Sequence, residues 1–148
     1  MKVIFLDVDG VLNNDSTRAR TPNGFVGIMD SKVKLIKKIA DETDSIIVLS
    51  TDWRCMDYDD PDYIYLEKKL DKQGLCAFDK TPDLDTFRRG REIFTWLQAH
   101  ENVESYVVLD DIEFSDFNYY KLNRIITDHR RGITEADAED AIDILNKK

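Results

Sequence analysis

The sequence predicts an α/β fold, a single Rossmann-like three-layer domain over residues 1–148 with a parallel sheet covered by helices on both faces. Three observations carry this expectation. Short apolar runs rich in β-formers recur as K-V-I-F-L (Lys2–Leu6), S-I-I-V-L (Ser45–Leu49) and Y-V-V-L (Tyr106–Leu109). Segments of helical spacing separate them. No repeat, low-complexity tract or linker divides the chain.

The elements follow in order. Asn13–Asn23 is polar and reads as a loop or flap. Asp30 or Ser31 caps a helix running to about Asp41, with Val33, Ile36 and Ile39 on its apolar face. Tyr63–Leu70 has helical spacing, Gly74 ends it, and Leu75–Phe78 forms a short strand. Thr86–His100 is the next helix, with Ile93, Trp96 and Leu97 inward. Arg124–Thr127 is an edge strand, and Thr134 with Asp137 opens the last helix as a capping box. Right-handed crossovers then connect the strands.

Hydrophobic residues at 42% and charged residues at 34% suit a globular protein in water. No apolar run approaches the roughly 20 residues of a membrane span, and the first strand lacks a signal-peptide pattern. The expectation is a cytoplasmic protein with no membrane partner. Cys55 and Cys76 cannot build a disulfide framework and read as reduced thiols in or near the core. The net charge of −9 argues against broad nucleic-acid binding. Yet Arg18, Arg20, Arg54, Arg88, Arg89 and Arg91 fall in segments placed near one rim, and a locally basic mouth suits a phosphate.

Three strands end in residues useful for phosphate chemistry: Asp7 with Asp9, Ser50 with Thr51, and Asp110 with Asp111. In an open parallel sheet, ligands bind at the carboxyl ends of the strands, so these groups converge on one crevice. Carboxylates packed so closely repel unless a cation neutralises them, and an all-oxygen set suits Mg2+. Zinc is disfavoured, because His100 and His129 are placed far from these strand ends. Asp7-Val8-Asp9-Gly10 is no EF-hand, since Val11 and Leu12 stand where that loop needs a ligand and a glycine.

V-I-F-L-D-V-D-G-V-L resembles the first motif of the haloacid dehalogenase (HAD) superfamily. V-L-S at Val48–Ser50 resembles its second motif, and V-V-L-D-D at Val107–Asp111 its fourth. The stretches L-S-T-D-W-R, R-G-R-E-I-F-T-W-L and G-I-T-E-A-D-A are similar to a small branch that includes phosphatase-like domains of multidomain RNA-repair proteins. The resemblance implies a phosphate monoester phosphatase of the HAD type. Asp7 would be the nucleophile that forms an aspartyl-phosphate, and Asp9 the general acid and base. Magnesium would be held by Asp7, the Asp9 carbonyl and Asp111, with Asp110 a supporting partner or, with the two exchanged, the ligand itself. Ser50 and the Thr51 N–H would bind phosphate, with Gly10 and Arg54 as further substrate contacts.

The third motif is a cation at a helix start, for which Arg89 or Arg91 is available and the R-G-x-E-I pattern favours Arg89. About twenty residues separate Leu12 from the first helix, too few for a folded cap domain. An open site admits a phosphorylated small molecule or a phosphorylated nucleic-acid end. Two other classes remain as alternatives: a catalytically silent family member that only binds, and a receiver-like phosphate-accepting switch. The receiver places its acidic pair on the first strand and its acceptor on a middle one, an order this chain does not follow.

Overall fold

The computed structural model of the protein describes residues 1–84 and 88–147. Five parallel strands form one sheet: β1 (Lys2–Leu6), β2 (Ser45–Leu49), β3 (Ala77–Lys80), β4 (Ser105–Asp110) and β5 (Arg124–Ile126), in the spatial order β3-β2-β1-β4-β5. The helices are α1 (Asp30–Thr43), α2 (Pro61–Lys72), α3 (Arg89–Gln98), α4 (Ser115–Tyr119) and α5 (Glu135–Asn146). Strand order reverses at β1, whose neighbours are β2 on one side and β4 on the other. Crossovers leaving in opposite directions open a crevice at that point, above the carboxyl ends of the strands.

Strand alternation sorts the apolar residues into two layers. Ile4, Leu6, Ile47, Leu49, Val107 and Leu109 face α1, α2 and α5, meeting Val33, Ile36, Leu66, Ala138 and Leu145. Val3, Phe5, Val48 and Val108 face the other way, against Ile93 and Trp96 of α3 and Phe117 of α4. The central strands are buried on both sides, which is why they read as continuous apolar runs.

The local signals hold with adjustments, the first being that the short strand expected at Leu75–Phe78 lies at Ala77–Lys80. Met29, not Asp30 or Ser31, occupies the N-cap of α1 and makes no side-chain cap bond. The Asp30 carboxylate instead meets Lys69 and Lys72 of α2. The helix expected at Tyr63–Leu70 runs from Pro61 to Lys72: Asp60 caps it through the Asp62 N–H, and Pro61 takes the first turn. The expected start of the third helix at Thr86 lies outside the described residues, and α3 is seen from Arg89. Helix α4 carries no sequence expectation. The capping box of α5 is present, with Thr134 and Asp137 exchanging bonds. Cys55 and Cys76 are free but exposed, so the expectation of core thiols is corrected.

The loop after β1 is a pinned flap. Asp62 is 1% exposed and accepts from the Thr21 hydroxyl (2.8 Å) and the Asn23 N–H (2.9 Å). The Tyr65 hydroxyl accepts from the Ile28 N–H, and Arg20 bridges Val26 within the flap. Among the described residues no helix is long and apolar enough to cross a membrane. Removing a buried carboxylate that satisfies two donors costs about 1–3 kcal/mol. Asp62→Ala is therefore expected to leave the sheet intact while tryptic cleavage at Arg18 and Arg20 accelerates, measured by limited proteolysis of the native protein.

Candidate active site

The register of the sheet assembles the site. Leu6 pairs with Leu49 on one side and Leu109 on the other, and the ladder runs one step further through Ser50 N–H to Leu6 C=O (2.9 Å) and Asp7 N–H to Leu109 C=O (3.0 Å). Ser50, Asp7 and Asp110 thus stand in one row across three strands. Their parity is that of Phe5, Val48 and Val108, so they share the face covered by α3.

That face supplies the cation. Arg89, the first residue of α3, places Nη1 2.8 Å from Asp110 Oδ2 and 3.4 Å from Asp7 Oδ2, and Nη2 3.2 Å from Asp52. The Phe114 ring lies 4.9 Å from its guanidinium carbon. Burial works against the charge on Arg89, but Asp7 and Asp110 more than offset it and hold the guanidinium above its usual range. Arg91 is exposed, its backbone N–H donating to Asp116, so α3 offers Arg89 to the crevice and not Arg91.

The carboxylates remain under-compensated. Burial first, then the charge of Asp110, push Asp7 well above the usual carboxylate range, despite the pull of Arg89. Burial and Asp110 raise Asp111 as well. Asp7, Asp110 and Asp111 each offer an oxygen within 4.8 Å of the other two. This all-oxygen set, still short of positive charge, fits a hard divalent cation such as Mg2+. Within it, Asp110 is the most committed: Oδ2 faces Arg89 and Oδ1 accepts from the Ile112 N–H at 3.0 Å. Asp111 has the opposite parity and lies over Gly10.

Gly10 sits at φ +80°, and a Cβ there would come within 2.3 Å of Asp111 Oδ2. Its N–H is taken by Asn13 Oδ1 (2.8 Å) and its carbonyl by the Thr127 hydroxyl (2.7 Å). Gly10, expected as a substrate contact, permits a turn and a close approach here, and both its backbone groups are engaged.

Ser50 carries the one buried side-chain polar atom without a partner among the described residues, its hydroxyl oxygen. It does not cap the turn that follows β2; Thr51 does, accepting from the Trp53 N–H. A buried orphan hydroxyl is costly and marks a place where a ligand completes the bonding. Arg54, expected as a substrate contact or a surface group, is buried in the wall of the crevice. Its guanidinium is 4% exposed, 2.7 Å from Glu92, and it donates to the carbonyls of Thr51 and Thr81.

Asp9 projects from the turn into the mouth. The Trp53 indole N–H donates to its Oδ2 and the Asn13 amide to its Oδ1, both at 3.0 Å. Beside it a cavity of about 610 Å³ is lined by Asn14, Asp15, Arg20, Asp111 and His129 among others. His129 was expected far from the strand ends and is instead at this rim, where Nδ1 meets Asp15 at 3.2 Å. Arg18, Arg88 and Arg91 are exposed. Sequence reasoning missed Asn13, Asp52 and Trp53, which lie in loops and turns, and Thr127, which follows the fifth strand. The polar Asn13 next to D-x-D-G and the tryptophan three residues after Ser50 were the available signals.

Folded-state values of Asp7 and Asp111 lie above the unfolded ones, so the metal-free folded chain holds extra protons as pH rises past about 4. The associated stability is full below the unfolded value and is lost as pH climbs through the raised folded values. Asp7→Asn is accordingly expected to raise the metal-free Tm at pH 8 by a few degrees and to flatten its fall with pH, measured by thermal melts in chelator. An unchanged or lower Tm would contradict this electrostatic account.

Residues 3–138 match the family described as the HAD domain in Swiss Army Knife RNA repair proteins. No curated protein and no solved structure matches the chain.

Proposed function

The chain belongs to that family of HAD domains, and from this premise we propose that it is a Mg2+-dependent phosphatase of phosphate monoesters, with Asp7 as nucleophile and Asp9 as general acid and base. The observation that carries the reading is the row formed by Ser50, Asp7 and Asp110, with an orphan hydroxyl at one end and a buried guanidinium at the other.

An Asp7 carboxylate oxygen attacks phosphorus while the bond from phosphorus to the leaving oxygen breaks. Asp9 gives its proton to that oxygen, which departs as an alcohol. Asp9 then takes a proton from the water that attacks the phosphorus of the Asp7 aspartyl-phosphate, and inorganic phosphate leaves with Asp7 restored. Ser50 donates its hydroxyl to a phosphoryl oxygen, aided by the Thr51 N–H. Arg89 favours the ionised form of Asp7 and opposes the negative charge of the transferring group. Asp7, the Asp9 carbonyl and Asp111, with Asp110 in support, would hold Mg2+, which would supply charge neutralisation and orientation of the phosphate.

Among the described residues no cap covers the mouth, which suits a phosphorylated small molecule or a phosphorylated nucleic-acid end. Free, exposed Cys55 and Cys76 suit a reducing cytoplasmic setting.

The test is phosphate release from an aryl phosphate, with Mg2+ or with chelator. Wild type is expected to turn over only with the metal, Asp7→Asn to be inactive, and Ser50→Ala to lose about 10- to 100-fold in kcat/KM. Full activity in Asp7→Asn would sink the mechanism. Binding of phosphate analogues without turnover of any monoester would favour a silent binding domain.

A further inference from the structure

Asp9 sits in an exposed turn at the mouth of the crevice, where an aspartate with no neighbours would rotate freely about its two side-chain bonds. It has two neighbours, one for each oxygen. The Trp53 indole N–H donates to Oδ2 and the Asn13 amide N–H to Oδ1, each at 3.0 Å. Both donors are held more firmly than the group they meet. Trp53 is 6% exposed, packed into the larger apolar layer, and its backbone N–H is fixed by the Thr51 hydroxyl. Asn13 is 3% exposed; its amide also donates to the Gly27 carbonyl at 3.0 Å, and its oxygen accepts from the Gly10 N–H at 2.8 Å. These bonds fix which way the Asn13 amide faces.

Resting on the phosphatase reading above, we propose that Trp53 and Asn13 are positioning residues that aim the proton of Asp9 at the leaving oxygen. An indole N–H and an amide NH2 can only donate, so neither competes for the proton that Asp9 carries. Each N–H occupies one lone pair of a carboxyl oxygen and leaves the other for that proton. Two bonds from opposite sides fix the plane of the carboxyl group, and with it the line along which the proton leaves. The step balances as follows: the Asp7 oxygen forms its bond to phosphorus, the electron pair of the broken ester bond stays on the leaving oxygen, and the Asp9 proton joins that oxygen. Misalignment by about 1 Å costs on the order of 100-fold in such transfers.

The dependence on the leaving group separates aiming from scaffolding. A p-nitrophenolate leaves without a proton, whereas a simple alkoxide needs one. We expect Trp53→Phe to lower kcat/KM by about 10- to 100-fold on an alkyl phosphate, but by less than about threefold on p-nitrophenyl phosphate. Trp53→benzothienylalanine, which puts sulfur in place of the N–H at nearly the same shape, guards against a folding defect and is expected to give the same split. Trp96→Phe, which removes an indole bonded to Asp79 on the opposite layer, is expected to keep the wild-type ratio of the two substrates. Equal losses on both esters in the Trp53 variants, or no loss on the alkyl ester, would overturn the proposal while leaving the phosphatase standing. An absence of Mg2+-dependent turnover of either ester by the wild type would instead overturn the phosphatase reading, and this inference with it.

Discussion

Arg89 is the cation on which the crevice depends, because it meets Asp110 at 2.8 Å and Asp7 at 3.4 Å where water is largely excluded. Without it, the carboxylates at the ends of these adjacent strands would face one another with no positive charge beside them and would take up protons still more readily. Much of the second layer serves this one contact. Helix α3 must begin at the strand ends for its first side chain to reach Asp110. Gly90 allows α4 to close in, since a Cβ there would lie 2.6 Å from Asp116 Oδ1, and the Asp116 carboxylate accepts from the N–H groups of Gly90 and Arg91. A five-residue helix invisible to periodicity therefore caps the helix that carries the central cation.

A second buried pair fixes the other wall. Arg54 and Glu92 meet at 2.7 Å with both side chains nearly inaccessible, joining the turn after β2 to α3. Burying two charges seldom yields net stability, because desolvation offsets the attraction. Its evident effect is geometric: the turn bearing Ser50, Thr51 and Trp53 is locked against the helix bearing Arg89. Arg54 is consumed in this lock, which is why it does not face the mouth.

The strands, their parallel pairing and the convergence of Asp7, Ser50 and Asp110 were legible because one rule, alternation along apolar runs, governs all three strands at once. The same parity sends Asp110 toward α3 and Asp111 toward Gly10, so the division between the two aspartates is implicit in V-V-L-D-D once α3 is placed. What resisted reading depends on loops. Asp62 follows several other aspartates with no local sign of burial, yet it is the buried anchor of a flap about forty residues earlier. Asp30 has the composition of a cap but is drawn to two lysines of α2. His129 reaches the rim because the turn after β5 folds back over the first loop, where Thr127 meets Gly10. No local pattern encodes such returns.

The flap also explains how a domain without a cap keeps a shaped mouth. A folded cap encloses substrate by moving; here a short loop is held by Asp62 and Tyr65 of α2 and by Asn13 at its own start. Each is a hydrogen bond made in or beside the protein interior, where breaking it strands a polar group and costs more than the bond itself gains. Such a wall is set before substrate arrives, so little ordering is required on binding. The cost is adaptability. On the proposed reading, substrate choice falls to the cavity beside Asp9 and to what Arg20 and His129 present at its rim, because no closing element lies among the described residues.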